Sequence, residues 1–505
     1  MSKDSATVTV FSVQHRTSVE AWERQQRGTR QLFLAKCFFF AFAYVIAAIL
    51  ARKLGAVEYG IYGVVISVLL WLEILGNAGV PGATAKLIAD RRYDPEDVER
   101  SGRALLISLS VLLVIVCWFL APQVANLMRV SNGEALFRIA VVDLPFAALY
   151  ASYEGVLYGR CRFGVIAAAQ VLYTATKLTG IIALVGVGFS VERVLVINVL
   201  ATCIVCLALT LGFPPRGFKP MRATIAQIGG IAAPMALYLI ASQVLINLDL
   251  WSLASLWKGD AEVVGQYVAS MNLAKILCLI PAAQAGVLFS SIAWALASRD
   301  ASRAQLHIHE ASRFALIIAA GTVTLLGIDG SEVLSTLFSK AYAEGHRVLP
   351  LQLAGFGVFA LLDIFSHSLM AVGRRSFAAG TIVATVPLVW LSNYFLIPRF
   401  GPLGAATSLL LGMAAAACVT GSMAYRYFGS VIRLSTVMRV LIAIVSVGLV
   451  SKAITVQGPW IVLKLGMLSS LYLVVLFMLG EITTKDFAFA KKQTGDGFAA
   501  QLPEG

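Results

Sequence analysis

A chain of 505 residues with 59% hydrophobic and only 13% charged side chains cannot coat a soluble core, because soluble proteins average roughly 45–50% apolar and about 25% charged residues. Disordered, collagen-like and disulfide-scaffold classes fall away as well, which leaves a polytopic all-α membrane protein. The net charge of +13 suits cytoplasmic loops held against anionic lipid and calls for no nucleic-acid partner.

The first thirty residues carry Lys3, Arg16, Arg24, Arg27 and Arg30 and lack the apolar core of a cleavable signal, so 1–31 is predicted to be a cytosolic N-terminal tail. Long apolar runs then recur to residue 480, each sufficient to cross a ~30 Å hydrocarbon layer at about 1.5 Å per residue. They predict about fourteen spans, over 32–54, 60–80, 103–122, 136–158, 164–189, 191–212, 230–256, 264–290, 314–337, 348–372, 376–396, 403–424, 436–456 and 459–480. A cytosolic C-terminal tail, 481–505, follows. With the amino terminus inside, inner segments hold 26 Lys and Arg and outer segments 11, which places both termini in the cytoplasm of an inner (plasma) membrane protein. Pro145, Pro234, Pro281 and Pro387 fall within spans and are expected to kink them. Gly155 and Gly159 form a GxxxG that signals close helix packing. Cys203 and Cys206 form a CxxC, but inside a spanning helix with no second pair or histidine nearby, so no metal or cofactor is expected there.

Two parts of the chain repeat. Lys53-Leu-Gly-Ala-Val-Glu-Tyr-Gly60-Ile-Tyr62 after the first span matches Lys258-Gly-Asp-Ala-Glu-Val-Val-Gly265-Gln-Tyr267 after the seventh, at a shift of 205. Glu134 matches Glu344 at 210, and Gly159-Arg160-Cys-Arg-Phe163 matches Gly373-Arg374-Arg-Ser-Phe377 at 214. A shift that grows slowly in one direction is what a duplicated six-span unit would leave, and six being even, the copies share one orientation as parallel repeats.

The same segments carry a family likeness. The run from Leu50 to Tyr62, Ile246-Asn-Leu-Asp249 with Gly265-Gln-Tyr267, Leu334-Ser-Thr-Leu-Phe338 with Tyr342, and Phe400-Gly-Pro-Leu-Gly404 resemble the Wzx-like oligosaccharide flippases of the multidrug/oligosaccharidyl-lipid/polysaccharide exporter superfamily. The likeness runs from about 32 to 425. It implies two six-helix lobes, here 32–212 and 230–425, plus two further helices over 436–480. It also implies translocation of polyprenyl-diphosphate-linked oligosaccharide units across the inner membrane for polysaccharide biosynthesis, by alternating access of the lobes. Membrane lipid and other polysaccharide-assembly proteins would be its partners. The first span departs from the proton-coupled drug-exporting branch: it has no acid, only Lys36. An ion-coupled drug or metabolite antiporter of the same superfamily is the alternative.

Ionised groups deep in lipid are costly and usually face a cavity or a partner. Lys275, Lys177 and Glu73 lie deep in the eighth, fifth and second spans. Shifted by 205, Glu73 lands on Cys278, one turn from Lys275. The lysines are expected to attract a diphosphate into a central hollow, or else to neutralise nearby carboxylates. Asp363 and His367 stand i,i+4 and are placed to share a proton, as a relay for proton or sodium coupling or as a plain hydrogen bond. Asp249 joins Ser242, Gln243 and Asn247 on a polar stripe, either as a coupling site or as a solvated cap. Asp143, Asp329 and Glu332 are expected at outer interfaces, and Arg374 and Arg375 as topology anchors. Trp71, Tyr150, Tyr153, Trp251, Trp294 and Trp390 are candidates for stacking on sugar rings or for plain packing. There is no GxxxxGK[ST] and no large outer loop to gather catalytic groups, so neither an ATP motor nor an enzyme is expected.

Overall fold

The computed structural model describes residues 4–483 apart from 78, 91–92, 215–220, 282–287, 289–290, 293, 297, 430, 455 and 457, and of 4–30, 33 and 234 it describes the backbone alone. The expected C-terminal tail beyond 483 and most of 282–290 in the predicted eighth span lie outside the described residues. Among the described residues every regular element is helical. Among the described residues, thirteen helical segments are long and apolar enough to cross a bilayer. The first, Leu34–Ala89, has 56 residues, ~84 Å at 1.5 Å per residue and so enough for two crossings, which brings the total to the fourteen expected.

Helix α1 (Asp4–Asn77) contains this double crossing, and its backbone is helical from the amino-terminal stretch onward. A single residue breaks it: Gly55, at φ 78 and ψ 170, in a region that a side chain disfavours. The sequence suggested a break over 55–59, between the first two spans, and one glycine is enough to turn the chain there. α2 (Val80–Ala89) follows, then α3 (Pro95–Leu127). The Asp94 carboxylate accepts from the Glu96 amide at 3.0 Å, Pro95 fills the first helical position, and Glu96 and Asp97 complement the positive helix end.

The predicted fourth span is two helices, α4 (Gly133–Val141) and α5 (Leu144–Gly159). Pro145 was expected to kink one helix; instead, in the first turn of α5, it has no N–H with which to continue the α4 ladder, and the break falls at Asp143. α6 (Phe163–Val187), α7 (Val191–Gly212), α8 (Arg222–Leu256) and α9 (Glu262–Ala274) complete the first half.

The chain forms two compact units, Met1–Val268 and Ala269–Gly505. In the first, α1 packs on α6 and α8, α2 on α5, and α3 on α5 and α8. Val80, Leu87, Leu106, Val156 and Ile228 form a core among them. The GxxxG seats α5 on α2, where a Cβ on Gly155 would stand 2.8 Å from the Pro81 carbonyl oxygen.

The second unit contains a 3-10 turn at Lys275–Cys278 and helices α10 (Ala301–Ile328), α11 (Gly330–Leu337), α12 (Leu349–Ala371), α13 (Arg375–Phe400), α14 (Pro402–Phe428), α15 (Leu434–Ala453) and α16 (Ile461–Met478). α12 is its centre, packed against α14, α10 and the 3-10 turn. α15 and α16 lie on α10 through Ile317, Val447, Leu468 and Tyr472, and the Tyr472 hydroxyl donates to the Ile317 carbonyl at 2.9 Å. Asp329, expected at an open interface, is covered by these two helices: Lys464 Nζ stands 2.8 Å from Oδ1 and Ser451 donates to Oδ2 at 2.9 Å. At the start of α10 the Asp300 carboxylate accepts from the Ser302 hydroxyl at 2.7 Å and the Arg303 amide at 2.9 Å.

Candidate functional site

The polar side chains buried at membrane depth gather into separate clusters within each unit. In the first unit α6 presents Tyr173 and Lys177 one turn apart, and α7 presents Asn198 opposite them. Lys177 Nζ donates to Asn198 Oδ1 at 2.5 Å and lies 3.4 Å from the Tyr173 hydroxyl, which also donates to Asn198 at 3.1 Å. The Asn198 amide nitrogen passes the chain on, donating to Asp143 Oδ2 at 3.0 Å. Glu73 on α1 acts electrostatically on both Asp143 and Lys177. The sequence-predicted Glu73 and Lys177 therefore belong to one cluster.

Asp143, Asn198 and Tyr173 complete that cluster and were missed. Asp143 was expected at an outer interface but is only 2% exposed, because the break between α4 and α5 turns it inward at a buried helix start. Two signals were present in the sequence: Tyr173 and Lys177 stand i,i+4, and Asn198 is the one side-chain amide in α7, set among apolar neighbours. A further acid, Glu154 on α5, interacts electrostatically with Lys36 of the acid-free first span.

In the second unit Lys275 opens the 3-10 turn, half-buried, and Cys278 at the end of that turn is within electrostatic range of both Lys275 and Asp363. Asp363 and His367 form the expected i,i+4 pair on α12: His367 Nδ1 lies 3.1 Å from Asp363 Oδ2 and 2.9 Å from the Asp363 backbone carbonyl. Both are largely buried. The structure thus packs the turn that carries Lys275 against α12, the helix that carries the Asp363–His367 pair.

Asp249 lies on α8 in the first unit. It is fully buried rather than a solvated cap, since α8 runs on to Leu256, and its Oδ2 accepts from the Tyr267 hydroxyl at 2.5 Å. Two of the aromatic candidates engage each other: the Trp71 and Trp251 rings meet edge to face at 5.7 Å, and Trp251 Nε1 donates to Ser67 at 2.9 Å. Cys206 of the CxxC donates through its thiol to the Phe146 carbonyl at 3.1 Å. Arg374, one of the loop arginines, donates to the Tyr427 hydroxyl at 2.6 Å.

A cation buried among amides and hydroxyls is costly at membrane depth unless it has partners of this kind. The chain is similar to the structure of the lipid II flippase MurJ in an inward-closed conformation, with 14% identity and a TM-score of 0.72 over 90% of this chain and 99% of that one. It is also similar to an inward-facing multidrug resistance MATE transporter of the MOP superfamily, with 15% identity and a TM-score of 0.65 over 77% and 94%. The protein is thus a multi-pass membrane protein with the fold shared by these transporters.

A family profile described as polysaccharide biosynthesis protein matches residues 26–291, more than half of the chain, and the chain belongs to that family. Among its relatives, a Haloferax volcanii protein described as the low-salt glycan biosynthesis flippase Agl15 is 23% identical over 77% of this chain and 81% of its own. A Shigella flexneri protein described as an O-antigen transporter is 20% identical over 71% and 88%.

Proposed function

We propose that this protein flips polyprenyl-diphosphate-linked oligosaccharide units across the inner membrane, for assembly into polysaccharide. Two lobes, 32–212 and 230–425, alternate access around a central path while both termini stay in the cytoplasm. The observation that carries the reading is the way Lys177 is held. Its hydrogen-bond acceptors among the described residues are the neutral oxygens of Asn198 and Tyr173, and the Asn198 amide in turn donates to Asp143. A lysine solvated by neutral groups keeps attraction to spare for an anion, which a direct ion pair would consume. The relatives described as a glycan flippase and an O-antigen transporter, and the lipid II flippase fold, support the same chemistry.

Lys177 and Lys275 then receive the diphosphate, the part of the substrate that hydrocarbon rejects. Glu73 and Asp143 lie within electrostatic range of Lys177, so a proton or a sodium ion taken up by these carboxylates frees the lysine for the diphosphate. Asp363 with His367, and Asp249 with Tyr267, are the further coupling sites. The chain itself carries out no chemical conversion in this scheme.

The test is complementation in cells whose own flippase has been deleted. Lys275→Ala and Lys177→Met should each abolish surface polymer at unchanged protein level. Normal polymer output from both variants, or transport of a drug with no effect on polymer, would favour the antiporter reading instead.

A further inference from the structure

The turn between α3 and α4 borders an open surface pocket of about 410 Å³ in the first unit, lined by Pro122, Asn126, Val130, Asn132, Glu134 and Arg138 among others, with Asn126, Asn132 and Glu134 exposed. That volume lies within the roughly 300–1,000 Å³ of small-molecule sites. The turn is held in an uncommon shape, with Arg129 and Asn132 both in the left-handed region at φ 52 and 51. The Arg129 guanidinium ties it to the Trp257 carbonyl at 3.2 Å.

The cavity's charges cancel. Arg138 Nη1 lies 2.6 Å from Glu134 Oε1, one turn apart on α4, and the guanidinium is laid over the Trp118 ring with 5.3 Å to the centroid. The remaining polar groups are not spent on the protein. Among the described residues, the side-chain amides of Asn126 and Asn132, the second Glu134 oxygen and the other Arg138 donors make no protein hydrogen bond. Two amides, a carboxylate and an arginine fork, all at one cavity with no net charge, match a ligand with many hydroxyls and little charge. An anion would meet the carboxylate at close range, and an acyl chain would desolvate all four groups without replacing their hydrogen bonds.

We propose that this cavity is a sugar subsite that takes one or two sugar residues of the translocated glycan by their hydroxyl groups. By the charge count of the loops it opens on the outer face, where the oligosaccharide emerges. The assignment rests on the translocation reading for the identity of the sugar, but the binding itself can be measured without transport.

The probe is the single repeat unit, cut from the surface polysaccharide of the cells that make this protein and titrated into the full chain in lipid nanodiscs. The wild type should bind it saturably. Asn126→Ala and Asn132→Gly, the latter keeping the left-handed backbone, should each weaken binding ~tenfold, and Arg138→Lys should do the same. Inorganic diphosphate should not displace it. No saturable binding, equal binding by all three cavity variants, or displacement by diphosphate would overturn the proposal. Unimpaired surface polymer in Lys177→Met and Lys275→Ala would instead overturn the translocation reading, with sugar binding by the wild type intact.

Discussion

Gly60 and Gly265 meet backbone to backbone: a Cβ on Gly60 would stand 2.8 Å from the Gly265 amide nitrogen, and one on Gly265 would overlap the Ala56 carbonyl. These are the two glycines that coincide in the sequence repeat, each two residues before a tyrosine, Tyr62 and Tyr267. The glycine in each motif is therefore required by the close approach of the other segment.

Alanine at either position should then fail for steric reasons alone. Because the obstacle is backbone, the neighbour has nowhere to move, and Gly60→Ala and Gly265→Ala should each destabilise by roughly 1–3 kcal/mol or more. Gly466 on α16 is the control, since a Cβ there meets nothing within 4 Å. Gly466→Ala should be neutral or stabilise by up to about 1 kcal/mol. Thermal melts of the purified protein in one detergent decide it; equal melting of all three would remove the close contact.

Asn198 is the bridge on which the first cluster depends. Its amide oxygen holds Lys177 and its amide nitrogen holds Asp143. Asn198→Ala removes both partners at once and leaves two buried ionisable groups without the amide that connected them. The loss should amount to about 1–3 kcal/mol of stability, together with surface polymer. Asn198→Gln tests position against chemistry, because it keeps the amide and moves it by one methylene. Wild-type export by Asn198→Ala at normal protein level would sink the role.

The crossings were legible in the sequence because an apolar run of some twenty residues has few other readings. What the run does not encode is where the helix breaks inside it. Gly55 divides α1 by its backbone angles, and Pro145 divides the fourth span by lacking a donor, and each could equally have been tolerated within a bent helix. Asp143 followed from that: whether it meets lipid headgroups or Asn198 depends on the direction of a turn. Asp363 and His367 were legible because both lie on one helix, where spacing alone fixes their approach. Lys464 with Asp329 was not, because the partners are 135 residues apart and meet only when α16 docks.

Asp300 gives the one clear pH expectation outside the spans. The Ser302 hydroxyl first, and then the Arg303 amide, hold its carboxyl below the usual 3.8. A carboxyl whose folded pKa is depressed contributes stability that is present above the unfolded value and lost as pH falls through the folded one. The first turn of α10 should therefore keep its protection at pH 5 to 7 and lose it progressively below about 3.8. Hydrogen exchange at the Arg303 amide reads this locally. Asn caps as well as Asp but does not titrate, so Asp300→Asn should flatten the acid limb; an unchanged limb in that variant would assign it to other groups.

The Asp329–Lys464 pair tests whether α15 and α16 are held by charge or by apolar packing. Both side chains are largely buried, 16% and 3% exposed, and Ser451 supplies the second carboxylate oxygen with a donor. Removing one partner leaves a buried charge uncompensated, so Lys464→Leu should destabilise by roughly 3–5 kcal/mol. Asp329→Leu should do likewise, stranding the ammonium under the same two helices. Replacing both by leucine removes the desolvation cost with the attraction, and the Ile317, Val447, Leu468 and Tyr472 cluster remains to hold the helices. The double variant should therefore melt close to wild type, far above either single one, with a coupling of several kcal/mol in the cycle. Additive losses would mean that the two residues act independently and that the 2.8 Å contact carries little of the docking.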